Sequence, residues 1–277
     1  MTTETNSPIL ILGGTGKTGG RIARRLATRN VPVRIGSRSG RPPFDWQDRS
    51  TWAAALHGVK TVYVSFYPDL AVPGAAEAVG TFTKLAVERG VERLVLLSGR
   101  GEEEAQKSEQ LVRNAGVDWT ILRASWFAQN FSESFLLDGV LAGEIALPVG
   151  DVREPFVDAD DIADVAVAAL TEPGHTGELY ELTGPRLLTF AEATAEIAAA
   201  SGRDVAYHRV SADDYTATLA QYELPADDIA LFTYLFTEVL DGRNSSLTNG
   251  VQRALGRPPR DFREYAESAA ATGVWAG

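Results

Sequence analysis

Cysteine is absent from the 277 residues, which excludes disulfides, thiolate metal sites and a cysteine nucleophile, and with them a secreted scaffold that depends on staples. Histidine is scarce: His57, His175 and His208 stand too far apart for a zinc site of the usual spacing. No apolar run approaches the roughly 20 residues that span a bilayer. Met1 to Pro8 is polar and lacks the basic and apolar regions of a signal peptide, so a cytoplasmic protein with no membrane role is expected. Basic residues are outnumbered, 26 Lys+Arg against 37 Asp+Glu, and the formal charge of −11 opposes non-specific attraction to nucleic acid. No internal repeat, low-complexity segment or Gly/Ser-rich linker is present. What is there, 44% hydrophobic and 23% charged residues, suits one large globular domain or two moderate ones.

The first half alternates short apolar runs with helical patterns, the rhythm of βαβ units. Ile9 to Leu12 reads as a buried strand, Lys17 to Arg29 as a helix, Val31 to Ile35 and Thr61 to Ser65 as strands. A helix from Pro73 to Gly90, a strand from Arg93 to Leu97, a helix from Glu102 to Ala115 and a strand from Trp119 to Leu122 follow. Six such strands are expected, with Phe66 and Tyr67 after the fourth, Ser98 ending the fifth, and Trp126 and Phe127 after the sixth. Beyond Ser125 the elements become shorter and mixed. Thr189-Phe190-Ala191-Glu192 and, more weakly, Asp261-Phe262-Arg263-Glu264 are capping boxes. Ile229, Phe232, Leu235, Phe236, Val239 and Leu240 form an apolar stripe on one helix. The expected architecture is α/β, a Rossmann-like doubly wound parallel sheet over residues 1–150 with a smaller mixed α/β substrate region, 151–277, interleaved with it.

Directly after the first strand comes Gly13-Gly14-Thr15-Gly16-Lys17-Thr18-Gly19-Gly20. Small residues at this spacing let backbone N–H groups approach a pyrophosphate at a helix N-terminus, and the strand-turn-helix context is the one the dinucleotide motif requires. Near the end of the second strand, where NAD enzymes place an acid on the ribose 2′-hydroxyl, stands Gly36-Ser37-Arg38-Ser39. The missing carboxylate and the guanidinium of Arg38 favour NADP(H) over NAD(H), with Ser37 adding a hydrogen bond to the 2′-phosphate.

With these residues the chain resembles the NmrA-like, atypical short-chain dehydrogenases over nearly its whole length. The pieces are Gly13 to Gly19, Leu96-Leu97-Ser98, Trp119 to Arg123, Trp126-Phe127-Ala128-Gln129-Asn130-Phe131, Pro155-Phe156-Val157-Asp158 leading to Asp161-Ile162-Ala163, and Leu182-Thr183-Gly184-Pro185. Ser37-Arg38-Ser39 and Phe44-Asp45-Trp46 resemble more narrowly the fungal ergot-alkaloid reductases, the festuclavine and agroclavine dehydrogenases, which use NADPH to reduce an iminium. The resemblance implies the fold and an NAD(P) cofactor. Cofactor contacts are expected from Gly13, Thr15, Gly16, Lys17, Thr18, Gly19, Ser37, Arg38, Asp45, Ser65 and Ser98.

The chain departs from the ordinary short-chain dehydrogenases at the Tyr-x-x-x-Lys pair, where the tyrosine protonates a carbonyl and the lysine lowers its pKa. If Glu109 occupies the family's helix glutamate, those positions fall on Gly101 and Ala105, and no register restores the pair. No catalytic residue is assigned. The expected substrate is a hydrophobic aromatic small molecule that is already electrophilic, an iminium or a quinone, held by Phe66, Tyr67, Trp126, Phe127 and Asn130 at the carboxyl ends of the strands. The alternative is a non-catalytic NADP(H) sensor acting through a protein partner, for which the Ile229 to Leu240 stripe is the candidate surface, although burial of the stripe as a lid or dimer contact is the favoured reading. No metal is expected, because Asp158, Asp160, Asp161 and Asp164 lack the glycine and closing glutamate of a calcium loop and read as helix caps. Glu102-Glu103-Glu104 reads as a solvated first helical turn. A monomer or homodimer is expected. The segment from Met1 to Arg49 carries a local charge of +6 in an otherwise acidic chain, as a site for a polyanionic cofactor would.

Overall fold

All four aliphatic residues of strand β1, Ile9–Leu12, are buried, as a central strand of a parallel sheet covered on both faces must be. In the computed structural model, which describes residues 7–276, β1 turns into helix α1 (Lys17–Thr28). Ile22 and Leu26 of α1 are buried and Arg24 is exposed. There follow β2 (Val33–Gly36), α2 (Trp52–Ala55), β3 (Thr61–Val64), α3 (Ala75–Glu88), β4 (Arg93–Gly99), α4 (Glu103–Arg113) and β5 (Asp118–Ala124). The chain continues through α5 (Leu137–Ala142), β6 (Glu144–Leu147), β7 (Arg153–Glu154), α6 (Ala159–Thr171), β8 (Glu178–Leu182), β9 (Leu188–Thr189), α7 (Phe190–Ser201) and β10 (Ala206–Arg209). It ends with α8 (Ala212–Gln221), α9 (Ala226–Tyr234), α10 (Gly250–Leu255) and α11 (Phe262–Ala271). Among the described residues no helix is long and apolar enough to cross a membrane.

Six parallel strands form one sheet in the order β2-β1-β3-β4-β5-β8. The chain steps from β1 outward to β2, then crosses back to β3 on the other side of β1. The strand order therefore reverses at the carboxyl end of β1, where ligands of open α/β sheets bind.

Two expectations change. The sixth strand is β8, from the second half of the chain, and residues between β2 and β3 add no strand to the sheet. Residues 37–51 hold no alternating apolar run and include Pro42 and Pro43, which cannot donate to a ladder. Instead Phe44, Trp46 and Trp52 pack against Phe82, with ring centroids 5.3 to 5.7 Å from it. Phe66 and Tyr67 thus follow the third strand, Ser98 lies in the fourth, and Trp126 follows the fifth. The boundary near residue 150 also moves. One compact unit holds the residues up to 124 with 160–182 and 250–257, and the other holds 125–159, 183–249 and the residues from 258. After β5 the apolar side chains Ala128, Phe131, Leu136 and Val140 are buried with Phe156, Phe190, Phe262 and Trp275 in a core of their own.

In the first unit the aspartates of α6 pair with arginines. Asp160 takes Arg25 at 2.5 Å, Asp164 takes Arg25 at 2.7 Å and Arg257 at 2.6 Å, and Asp161 takes Arg257 at 2.8 Å. Among the described residues no group of three or more His, Asp or Glu is arranged to hold a metal ion.

The second unit is built on aromatic packing. Phe131 lies 5.8 Å from both Phe156 and Phe262, and its carbonyl accepts from the Trp275 indole at 2.9 Å. Both capping boxes form, Thr189 with Glu192 and Asp261 with Glu264. Arg186 clamps Asp261 and Glu196 at 2.6 and 2.7 Å. The apolar stripe spans α9 and a π-helical turn, Leu235–Val239, and Leu235, Phe236, Val239 and Leu240 are buried.

Candidate functional site

The glycine turn is shaped by close approach. Gly13 has φ +65°, a backbone conformation that favours glycine. A β-carbon on Gly19 would lie 2.2 Å from the Gly13 carbonyl oxygen and 2.7 Å from its carbon, so the start of α1 packs directly on the turn. The Gly16 N–H donates to the Gly13 carbonyl at 2.8 Å. No side chain caps α1 and no acid stands in its first turn. Its orphan N–H groups and the positive end of its dipole therefore suit an anion. Gly13, Thr15 and Gly16 are exposed at this turn. Thr18 is buried, and its hydroxyl accepts from the Tyr63 hydroxyl at 2.9 Å, so it points into the sheet.

Beyond β2 the Ser37 carbonyl accepts the N–H groups of Gly40 and Phe44, both at 2.9 Å, which fixes a tight turn. Ser37 is half-buried and Arg38 exposed. The Arg38 guanidinium stands 5.9 Å from the centroid of the Tyr67 ring. Because β2 and β3 flank β1, this cation–ring contact links the two strands that border the switch point. Tyr67, expected at the substrate, is thus joined to the 2′-phosphate candidate. Ser65 lies against Gly13, and its carbonyl accepts from the Trp46 indole at 2.9 Å. Asp45 holds its own loop: its carboxylate accepts from the Gln47 N–H at 3.0 Å and its carbonyl from the Trp52 indole at 2.7 Å. Phe66 packs on Trp46, with centroids 4.9 Å apart.

At the end of β4, Ser98 is buried and donates to Glu109 on α4 at 2.7 Å. Arg123 of β5 grips the same carboxylate at 2.8 and 2.5 Å and reaches Glu181 of β8 at 2.8 Å. The Ser98 hydroxyl is therefore part of a buried network that ties three strand ends to a helix. Gly101 is a left-handed turn residue and Ala105 is fully buried, so neither offers an acid.

The sequence reading missed Glu102. Glu103 and Glu104 do behave as a first turn, pairing with Lys107 at 3.2 and 2.7 Å. Glu102 precedes that turn in extended conformation, and its side chain does not cap the helix. Its carboxyl folds back over Gly99, where a β-carbon would stand 2.1 Å from one carboxyl oxygen and 2.3 Å from the other. Burial, then the charges of Asp69 and Glu109, push Glu102 well above the ordinary carboxylate range. Burial also raises Asp69, against the Ala71 N–H it accepts at 2.8 Å and the charge of Lys17. The one signal available in the sequence was Gly99, a residue without a side chain at a strand end.

Trp126, Phe127 and Asn130 belong to the second unit. The Trp126 ring lies 5.1 Å from Phe236 and 5.8 Å from Phe190, and its indole nitrogen is buried with no hydrogen-bond partner among the described residues. Phe127 and Asn130 are half-buried. Between them and the helix, Gln129 donates to Asp158 and accepts from the Ala159 N–H, both at 2.7 Å, and so fixes this loop.

A family profile described as NAD(P)H-binding matches residues 43–173. The chain is 33% identical to the agroclavine dehydrogenase of Claviceps fusiformis, over 93% of this chain and 95% of that protein. Among solved structures it is similar to the NADPH-dependent quinone oxidoreductase of Escherichia coli, solved with NADPH, at a TM-score of 0.75 and 22% identity, covering 94% of this chain and 99% of that one. It is also similar to NmrA, a negative transcriptional regulator solved with NAD, at a TM-score of 0.71 and 14% identity, covering 98% of each chain.

Proposed function

The chain belongs to the NmrA-like family of NAD(P)H-binding oxidoreductases, and we propose that it is an NADPH-dependent reductase of a hydrophobic, pre-activated small molecule such as a quinone or an iminium. The observation that carries this reading is the cradle at the switch point: Gly19 pressed on Gly13, an uncapped α1, and Arg38 in the turn just after β2, facing Tyr67 after β3. The turn would hold the pyrophosphate through backbone N–H groups, and Arg38 with Ser37 would take the 2′-phosphate. When bound, the reduced nicotinamide supplies a hydride. The chain's task is then to align the acceptor and exclude water. Within the first unit Phe66 and Tyr67, and within the second Trp126 and Phe127 with the amide of Asn130, are the candidates for substrate contact, their rings suited to an aromatic acceptor. Quinone and agroclavine chemistry in the names of similar proteins supports an acceptor of this kind.

Burial of Leu235, Phe236, Val239 and Leu240 removes most of the surface a sensor would need for its partner. The test is incubation with NADPH and a panel of quinones and cyclic iminiums, following loss of the reduced-nicotinamide absorbance. Turnover of at least one class supports the reductase. Turnover of none, with equal affinity for NADP and NADPH, overturns it in favour of the sensor.

A further inference from the structure

Hydride uptake by the two acceptor classes differs in one proton. An iminium that gains a hydride is a neutral amine and needs nothing more. A quinone that gains a hydride is an anion and becomes a hydroquinone only when an acid supplies a proton. With Glu109 taken as the family's helix glutamate, the position at which short-chain dehydrogenases carry that acid is Gly101, which has none to give.

One residue along, Glu102 does. Its carboxyl lies on the α-carbon of Gly99 at the carboxyl end of β4, in the same unit as the glycine turn and in the row of strand ends where ligands of open sheets bind. It does not cap α4. Half-buried and held against Gly99, the carboxyl is available to a ligand. Gly99 is what allows this placement, since any side chain there would collide with the carboxyl.

We propose that Glu102 is the proton donor for acceptors that need one, its carboxyl O–H delivering a proton to the oxygen of a quinone as hydride arrives from the reduced nicotinamide. The inference rests on the reductase reading. In the step the Glu102 O–H bond breaks, its electron pair stays on the carboxylate, and a new O–H bond forms on the acceptor. One hydride and one proton convert quinone to hydroquinone, and water restores the proton to Glu102.

The surroundings suit the role. Asp69, after β3, and Glu109, on α4, are the charges that act on Glu102, and both favour its neutral form. Glu109 is engaged by Arg123 and Ser98. Lys17, at the start of α1, opposes the rise of Asp69. Two neighbouring like charges do not both ionise readily, so one proton stays with the pair.

Two measurements test this. The first needs no cofactor and no substrate: carboxyl carbon NMR of the full chain labelled at glutamate, with Glu102→Gln assigning the resonance. Glu102 remains protonated at neutral pH, and Asp69→Asn, by removing a like charge, moves its titration to lower pH. A Glu102 resonance already ionised at pH 7 overturns the proposal. The second compares quinone with iminium reduction in wild type and Glu102→Gln, a neutral isostere of the protonated acid. The ratio of kcat/KM for quinone to that for iminium falls by about 100-fold. Quinone reduction by the wild type is expected to fall at alkaline pH, a limb that disappears in Glu102→Gln and moves to lower pH in Asp69→Asn. An unchanged ratio overturns this proposal alone. A wild-type protein that reduces neither acceptor overturns the reductase reading and this proposal with it.

Discussion

Gly19 stands so close to Gly13 that a β-carbon on it would lie 2.2 Å from the Gly13 carbonyl oxygen. The obstacle is backbone on both sides, which cannot swing away as a flexible side chain would. Gly19→Ala therefore pushes α1 off the turn. It costs about 1–3 kcal/mol of stability and weakens NADPH binding by at least about tenfold, since the helix N-terminus no longer meets the pyrophosphate. Thermal unfolding and an NADPH titration check the two effects separately. Wild-type affinity in this variant would show that the turn does not hold the nucleotide.

Arg38→Glu replaces a guanidinium suited to a phosphate by a repelling carboxylate. NADPH weakens by about 100-fold, as expected for a lost charge-assisted contact of about 1.5–3 kcal/mol, while NADH is nearly unaffected. Tyr67→Ala, which leaves the guanidinium without the ring it faces at 5.9 Å, lowers NADPH affinity in the same direction by a smaller factor. Calorimetric titration with both nucleotides reads the difference, and equal losses for both count against the assignment.

Glu109 is 1% exposed and takes its charge compensation from Arg123. Arg123→Leu strands that carboxylate and costs about 3–5 kcal/mol. Ser98→Ala removes one hydrogen bond from it and costs about 1–2 kcal/mol. Denaturant unfolding of the two variants checks the ranking.

Arg186, hydrogen-bonded to Asp261, holds that carboxyl below its ordinary range. The folded protein therefore binds this proton less readily than the unfolded chain does. The contribution is full above about pH 4 and is lost as acid titrates through the lowered value. The thermal midpoint of Asp261→Asn falls less steeply with acid below pH 4 than that of wild type. Parallel acid limbs would show that this pair carries none of the pH dependence.

Trp126 has a buried indole N–H without a partner among the described residues. Trp126→Phe removes a donor that the folded chain does not use, and stability changes by less than about 1 kcal/mol. If the donor serves the acceptor, KM for a quinone rises in the same variant while NADPH affinity stays as it was. Steady-state kinetics beside thermal unfolding separates the two.

Much of this was written locally in the chain. The aliphatic run of β1, the glycines after it and the capping boxes at Thr189 and Asp261 each specify their structure within a few residues, and each formed. The sixth strand escaped because the chain leaves the sheet after β5 and returns only at Glu178, a choice set by the second core around Phe131 and Phe190. Glu102 escaped for a related reason. Three consecutive acids look alike in sequence, and only the bare α-carbon of Gly99 and the proximity of Asp69 separate the first from the other two. The Arg38–Tyr67 contact likewise depends on β2 and β3 lying on opposite sides of β1, which residue spacing alone does not convey.

The most direct test of an NADPH site built on Gly13, Gly19 and Arg38 is a side-by-side titration of the wild-type protein with NADPH and NADH at one ionic strength. NADPH binding tighter by about tenfold or more, the value of one charge-assisted phosphate contact, is the expected result. NADH binding equal to or tighter than NADPH would contradict it.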